Sequence, residues 1–235
     1  MPEIAPVCVV AGIGPGNGEA LVRRFSADGY AVAMLSRRAE ISARLAAELP
    51  LAKGFACDVA DAASVASAFA AVRAAVGEVD VLLFNAGSGI WGSIEDVAPE
   101  DFERAWRVNA LGLFLCSRQV IAAMKRKGHG AIVVIGATAS RRGVAGTAAF
   151  APAKMAQRGL AESMARHLWP AGIHVALIVV DGQVGSASAR SRAPGRAEET
   201  FIAPSGVADI AANLVRQDRT AWSFEVEARP YLEKW

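Results

Sequence analysis

Short apolar runs and longer amphipathic stretches alternate along most of the chain. Runs rich in β-branched residues stand at 7–11, 31–35, 79–85, 131–136 and 174–180. Their near-continuous apolar character predicts strands buried on both faces. Between them, Ala-rich segments at 18–27, 41–48, 64–76, 99–127 and 150–169 carry the 3.6-residue period of helices packed by one face. Strand–helix–strand order predicts parallel strands joined by crossover helices, helices on both faces of the sheet, and ligands outside the carboxyl ends of the strands. The pattern breaks at 185–204, where Ser, Ala, Arg, Gly and Pro crowd together, and this predicts a long mobile loop able to cover a substrate. Beyond it, Trp222, Phe224, Val226 and Ala228 alternate with Ser223, Glu225, Glu227 and Arg229. That period of two predicts a half-buried strand closing the sheet edge.

Composition narrows the picture. A chain of 235 residues, 53% apolar, buries one large core, so one α/β domain is expected over 1–235. Lys and Arg number 25 against 23 acids, a net charge of +2, which offers no global basic field for nucleic acid or a membrane surface. A small molecule is the expected ligand. Cys8, Cys57 and Cys116 lie far apart in apolar surroundings, as reduced core thiols do, and have no metal-ligand spacing. The first six residues hold Glu3, Pro2 and Pro6 rather than a charged-then-apolar signal, and no run reaches membrane-spanning length, so a cytoplasmic location is expected.

The first apolar run leads into Gly12-Ile13-Gly14-Pro15-Gly16-Asn17-Gly18 and then a helix. Glycines there permit positive φ and let backbone N–H groups approach a pyrophosphate, whose charge the helix N-terminus also favours. An ordinary tight turn is the plainer reading. The flanking strand and helix favour the dinucleotide.

The G-x-x-x-G-x-G spacing of Gly12, Gly16 and Gly18 resembles the short-chain dehydrogenase/reductase family, and other segments agree in order. Cys57-Asp58-Val59 looks like the family's adenine contact and Asn85-Ala86-Gly87 like its N-A-G element. Asn109 matches its helix asparagine and Lys154 its active-site lysine; the resemblance runs over about 7–186. It implies a Rossmann-type doubly wound, mainly parallel seven-stranded sheet, a nicotinamide cofactor, and a homodimer or homotetramer formed through 99–127 and 150–169. Singly, each residue has a plainer role: Asp58 caps a turn, Asn85 braces one, Asn109 is a core amide and Lys154 a solvated charge.

At the end of the second strand, where a family member selecting NAD offers an acid, the chain reads Ser36-Arg37-Arg38. Without the acid nothing repels a 2′-phosphate, and a guanidinium binds one with charge-assisted hydrogen bonds, so NADP(H) is favoured over NAD(H). The alternative is two solvated arginines.

The family's reaction uses a Ser that binds the carbonyl and a Tyr that transfers the proton, with a Lys four residues after the Tyr. Here Phe150 holds the Tyr position before Lys154, and Ala137 holds the Ser position. A phenyl ring has no proton to give, and loss of a general acid typically costs about a hundredfold to ten-thousandfold in rate, so ordinary ketone reduction should be poor. Thr138 and Ser140 flank the gap, either approaching a substrate oxygen or satisfying backbone at the strand end. After the sixth strand the family's Pro-Gly is replaced by Asp181-Gly182, the carboxylate either capping the loop or facing the pocket. Val184 and Ser186 keep the spacing of the family's nicotinamide and pyrophosphate contacts. These departures, with the tail beginning at Trp222, resemble a divergent subgroup that shares the Phe-for-Tyr change. Arg190, Arg192 and Arg196 offer charge to an anionic substrate or are simply solvated.

Three functions follow: an NADP(H)-dependent oxidoreductase whose substrate needs no tyrosine, such as an iminium or a conjugated alkene; a non-catalytic NADP(H) sensor or assembly protein; or carbonyl reduction rescued by Thr138, Ser140 or a water on Lys154.

Overall fold

The computed structural model describes residues 5–233; readings above that touch 1–4, 234 and 235 lie outside the described residues. In chain order the elements are β1 (Val7–Ala11), α1 (Asn17–Ala27), β2 (Ala31–Ser36), α2 (Glu40–Glu48), β3 (Ala52–Ala56), α3 (Ala62–Ala75), β4 (Val81–Phe84), α4 (Pro99–Trp106), α5 (Gly112–Lys127), β5 (Gly130–Ile135), α6 (Phe150–Leu168), β6 (Ile173–Val180), β7 (Gln183–Val184), α7 (Ala187–Arg192), β8 (Phe201–Ile202), α8 (Pro204–Val215) and β9 (Glu225–Ala228).

Seven strands form one sheet in the order β3-β2-β1-β4-β5-β6-β9, every neighbouring pair parallel. This is the Rossmann-type doubly wound, seven-stranded arrangement that the family resemblance implies, built from the parallel strands that the alternation of runs predicts. All residues of β1, β4 and β6 are buried, which is why their sequences are unbroken apolar runs. Side chains alternate between two cores: Val9, Leu82, Ile132 and Leu177 pack toward α3, α5 and α6, while Val10, Leu83, Val133 and Ile178 pack toward α1 and α8. Strand order reverses between β1 and β4, so the loops leaving those strands diverge and open a crevice at their carboxyl ends.

Three readings need correction. The apolar runs omit β3, whose Lys53 and Gly54 are exposed at the sheet edge, so an edge strand leaves little apolar signal. The segment 99–127 is not one helix: a π-helical turn at Arg107–Leu111 separates α4 from α5. That widened turn leaves the Asn109 carbonyl to accept from the buried Gln157 Nε2 at 3.0 Å. The segment 185–204 is not an irregular loop, since it holds α7, a 3-10 turn at Glu198–Thr200 and β8, which pairs with β7. Several of its polar residues serve as caps or in ion pairs. Ser186 Oγ accepts from the Ala189 amide at 3.1 Å, Arg190 pairs with Glu198, and Arg196 reaches Glu233 at 3.1 Å.

The closing strand is β9, parallel to β6. The alternation begins only inside it, because Phe224 packs with one core and Val226 and Ala228 with the other. The Asp181 amide donates to Ala228 O at 2.8 Å, and the buried Asp181 carboxylate pairs with the partly buried Arg229. The edge strand is thereby tied to the loop at the carboxyl end of β6. Cys8, Cys57 and Cys116 are buried free thiols. Among the described residues, no helix is long and apolar enough to cross a membrane.

Candidate active site

The glycine turn lies against the end of β4. A Cβ on Gly12, whose φ is +97°, would fall 2.5 Å from Ala86 Cα, and one on Gly18 would fall 2.6 Å from Gly12 O. Asn85 Nδ2 donates to Gly12 O at 2.6 Å, and the Gly12 amide donates to Leu35 O at 2.9 Å. Asn85 therefore braces the turn from across the crevice, so its plain role and its membership of the site coincide. Gly16 precedes α1 without a side-chain cap, leaving the first amides of that helix to other partners. Asn17 Oδ1 is buried without a partner among the described residues.

A cleft of about 250 Å³ runs from this turn past Ser36, Arg37, Arg38, Asp58, Val59, Ala86 and Gly87. Ser36 Oγ donates to Arg38 O at 2.7 Å and shapes the corner after β2. Arg37 and Arg38 are exposed, and neither guanidinium has an ion-pair or hydrogen-bond partner among the described residues. Asp58 accepts from the Ala60 amide at 3.0 Å with one oxygen, and its own amide donates to Ser64 Oγ at 2.9 Å.

Beyond Asn85 and Gly87 the cleft meets a second cavity of about 490 Å³, reached by Asn17, Ala137, Thr138, Phe150, Lys154, Gly182 and Val184. Sequence reading missed several of its walls, among them Trp91, Arg142, Val144 and Thr147. The Trp91 ring lies 5.2 Å from that of Phe150, and its loop is pinned by the Gly92 amide donating to Gly146 O at 2.9 Å. Tryptophan in an irregular segment carries no periodic signal, so only tertiary structure brings it to Phe150.

The structure sorts the remaining predicted residues. Ser140 Oγ accepts from the Ala137 amide at 3.1 Å and is buried. Thr138 Oγ1 donates to Asp181 Oδ1 at 2.5 Å. Both hydroxyls are thus committed locally. Asp181 stands behind the cavity wall, held by hydrogen bonds to Thr138 and Arg229 with the Arg142 guanidinium 3.8 Å away, so it is an anchor rather than a group facing the pocket. Ser186 caps α7. Arg190 and Arg196 are paired as described.

Lys154 is buried, not a solvated charge. Its Nζ donates to Ile135 O and to Gln157 Oε1, both at 2.9 Å. Gln157 is fully buried and links Lys154 to the Asn109 carbonyl; one glutamine on a helix face gives no sequence sign of such a bridge. Asn109 Nδ2 donates to Ala105 O at 2.8 Å, while its Oδ1 is buried without a partner among the described residues. Asn109 is therefore half satisfied. Two acceptors satisfy a neutral amine, whereas an ammonium brings a third N–H. A Cβ built on Gly87 would lie 3.4 Å from Asn109 Oδ1 and 3.8 Å from Lys154 Nζ. A spare acceptor and a spare donor thus border one glycine, an arrangement that fits a ligand hydroxyl such as a ribose offers.

The two cavities meet at a strand-order reversal, the place where doubly wound α/β proteins bind their ligands. The family model for short chain dehydrogenase matches residues 6–195, and the chain belongs to that family. It is 31% identical over 208 residues to sorbitol-6-phosphate 2-dehydrogenase of Escherichia coli, covering 86% of this chain and 80% of that protein. Over 166 residues it is 31% identical to 2-dehydro-3-deoxy-L-rhamnonate dehydrogenase (NAD(+)) of a Sphingomonas species, covering 70% and 67%. Among solved structures, a variant of actinorhodin polyketide ketoreductase with NADPH superposes with a TM-score of 0.88 at 26% identity, covering 98% of each chain. A short-chain dehydrogenase from Rhodopseudomonas palustris gives 0.83 at 31% identity, covering 98% of this chain and all of that one. The family is one of oxidoreductases that use nicotinamide cofactors.

Burial pushes the Lys154 ammonium down to about 7. In the unfolded chain a lysine titrates near about 10.4. Between those values the unfolded chain holds more protons, so stability rises with pH. His174, which burial also pushes down, completes its contribution below this window. The buried thiols, pushed up, oppose the gain once unfolded cysteines ionise above about 8.5. The urea midpoint of the ligand-free protein is expected to rise between about pH 7 and pH 8.5, and Lys154→Met should flatten that rise. An unchanged slope in the variant would assign the effect to another group.

Proposed function

We propose that the protein is an NADP(H)-dependent oxidoreductase with an atypical active site, acting on a substrate that needs no proton from the enzyme. The observation that carries this reading is the continuity of the cleft. It begins at Arg37 and Arg38, unpaired among the described residues, passes the braced glycine turn, and ends at Lys154 beside an apolar wall, with Asn109 Oδ1 behind Gly87.

In this reading Gly12, Gly16, Asn17 and Gly18 hold the pyrophosphate with backbone amides, and Arg37 and Arg38 hold the 2′-phosphate beside Ser36. Asp58 and Val59 flank the adenine, and Asn85, Ala86 and Gly87 form the floor. Lys154 and Asn109 clasp the ribose nearest the substrate, while Gly182, Val184 and Ser186 stand on its other side; Asp181 serves only through its anchor. Bound there, the reduced cofactor supplies a hydride. Phe150 and Ala137 form a wall that excludes water and donates nothing, and Thr138 is turned away toward Asp181. A ketone would become an alkoxide with no acid beside it. An iminium accepts a hydride to become a neutral amine, and a conjugated alkene defers its proton, so positioning alone suffices for both. The segment 185–204 serves as the substrate-side flap, and a cytoplasmic location suits the three reduced thiols.

One observation favours the non-catalytic sensor as a second reading: every hydroxyl near the expected reaction centre is absent or committed. Single-turnover mixing with imine, enone and ketone panels, read by loss of reduced-nicotinamide absorbance, separates the two. Hydride loss with imines or enones but little with ketones supports the enzyme. Pairing Phe150→Tyr with Ala137→Ser should then raise ketone reduction about a hundredfold or more. Tight NADPH binding with no hydride loss on any panel would leave the sensor.

The protein is further proposed to be a homodimer or homotetramer through α4, α5 and α6, where Phe102, Trp106, Phe114 and Met155 are exposed. Sedimentation should return a dimer or larger species that Phe114→Glu dissociates. A wild-type monomer at micromolar concentration would refute it.

A further inference from the structure

The cavity beside Phe150 is walled mainly by apolar groups, among them Trp91, Ile135, Val144 and Val180. Two cationic side chains line it, Lys154 and Arg142. Lys154 is buried and committed to Ile135 O and Gln157 Oε1. Arg142 differs. Its side chain is 57% exposed, and the nearest carboxylate oxygen, Asp181 Oδ1, is 3.8 Å away, beyond hydrogen-bond reach.

That carboxylate is already used, by Thr138 on one oxygen and Arg229 on the other. The neighbouring Arg141 is saturated by contrast, paired with Glu225 at 2.8 Å and with Glu227. Arg158 takes the remaining Glu225 oxygen at 2.6 Å, and Arg229 also reaches Glu227 at 2.9 Å. Glu162 joins the network, taking Arg158 at 3.4 Å and Arg166 at 2.7 Å, and of Arg141, Arg142, Arg158, Arg166 and Arg229, Arg142 is the one without a hydrogen bond to a carboxylate among the described residues. Its backbone is fixed, because its amide donates to Thr138 O at 3.2 Å in the turn that closes β5. The guanidinium thus hangs from a rigid point at the edge of an apolar chamber.

We propose that this chamber takes a substrate with an apolar body and a terminal carboxylate, and that the Arg142 guanidinium binds the carboxylate. The proposal rests on reading the chamber as the substrate side of the NADP(H) cleft. The apolar body lies against Trp91, Val144 and Phe150, and the carboxylate receives charge-assisted, bidentate hydrogen bonds that no protein acid already takes. Because Arg142 is half-open to solvent, the contribution is screened and modest, about tenfold in affinity. Arg142 is thereby a specificity-determining residue for acids over their neutral isosteres.

Calorimetric titration of the NADPH-saturated protein with cinnamate and with cinnamamide, matched in shape and differing in charge, tests this. Cinnamate should bind about tenfold more tightly, Arg142→Gln should abolish the preference, and Arg141→Gln should keep it. Equal affinities, no binding of either probe, or a preference that survives Arg142→Gln would overturn the proposal. The same titrations on unloaded protein keep the two readings apart. If NADPH fails to bind but cinnamate is still preferred through Arg142, the cofactor reading falls and the acid site stands.

Discussion

The site depends on one close approach, that of the glycine turn after β1 to the end of β4. No side chain fits at residue 12, where a Cβ would meet Ala86 at 2.5 Å, and Asn85 fixes the distance by donating to Gly12 O. A parallel sheet diverges at this reversal of strand order whatever its loops contain. The glycines convert that divergence into a cleft with a backbone floor, and the bracing amide keeps the floor in place without a ligand. Everything downstream, from the corner at Ser36 to Lys154, is arranged around this contact.

On the substrate side the governing quantity is the number of hydrogen-bonding groups left unmatched. Ala137 and Phe150 bring none. Thr138 and Ser140 have theirs, but spend them on Asp181 and on the Ala137 amide. Lys154 is held by exactly as many acceptors as a neutral amine needs, consistent with burial drawing its ammonium down to about 7. What remains open among the described residues is Asn17 Oδ1 on the chamber wall, Asn109 Oδ1 beside Gly87, and the Arg142 guanidinium. A chamber with so few free polar groups suits a reaction that asks little acid catalysis of the protein.

Much of this fold was legible because parallel strands buried on both faces must be written as apolar runs, as β1, β4 and β6 are. The edge strand β3 escaped because half of it faces water, and the division of 99–127 escaped because a π-helical turn needs no breaker residue. The segment 185–204 was misread for a related reason: Ser186, Arg190 and Arg196 have the composition of a loop, yet each spends its polarity on a cap or an ion pair. Residues that line the cleft could be found from spacing along the chain, since the glycine turn and Asn85-Ala86-Gly87 follow strands directly. Gln157, Arg142 and Trp91 could not, because each matters through a partner distant in sequence. The same holds for Asp181, whose meaning depends on Arg229, 48 residues on.

The central claim is that the cleft recognises a phosphorylated nicotinamide dinucleotide through Arg37 and Arg38. Calorimetric titration of the purified protein with NADPH and NADH, side by side at one fixed salt concentration, tests it most directly. The account predicts that NADPH binds at least about tenfold more tightly, the two guanidiniums having no partner among the described residues to leave. Equal affinities, or tighter binding of NADH, would contradict it.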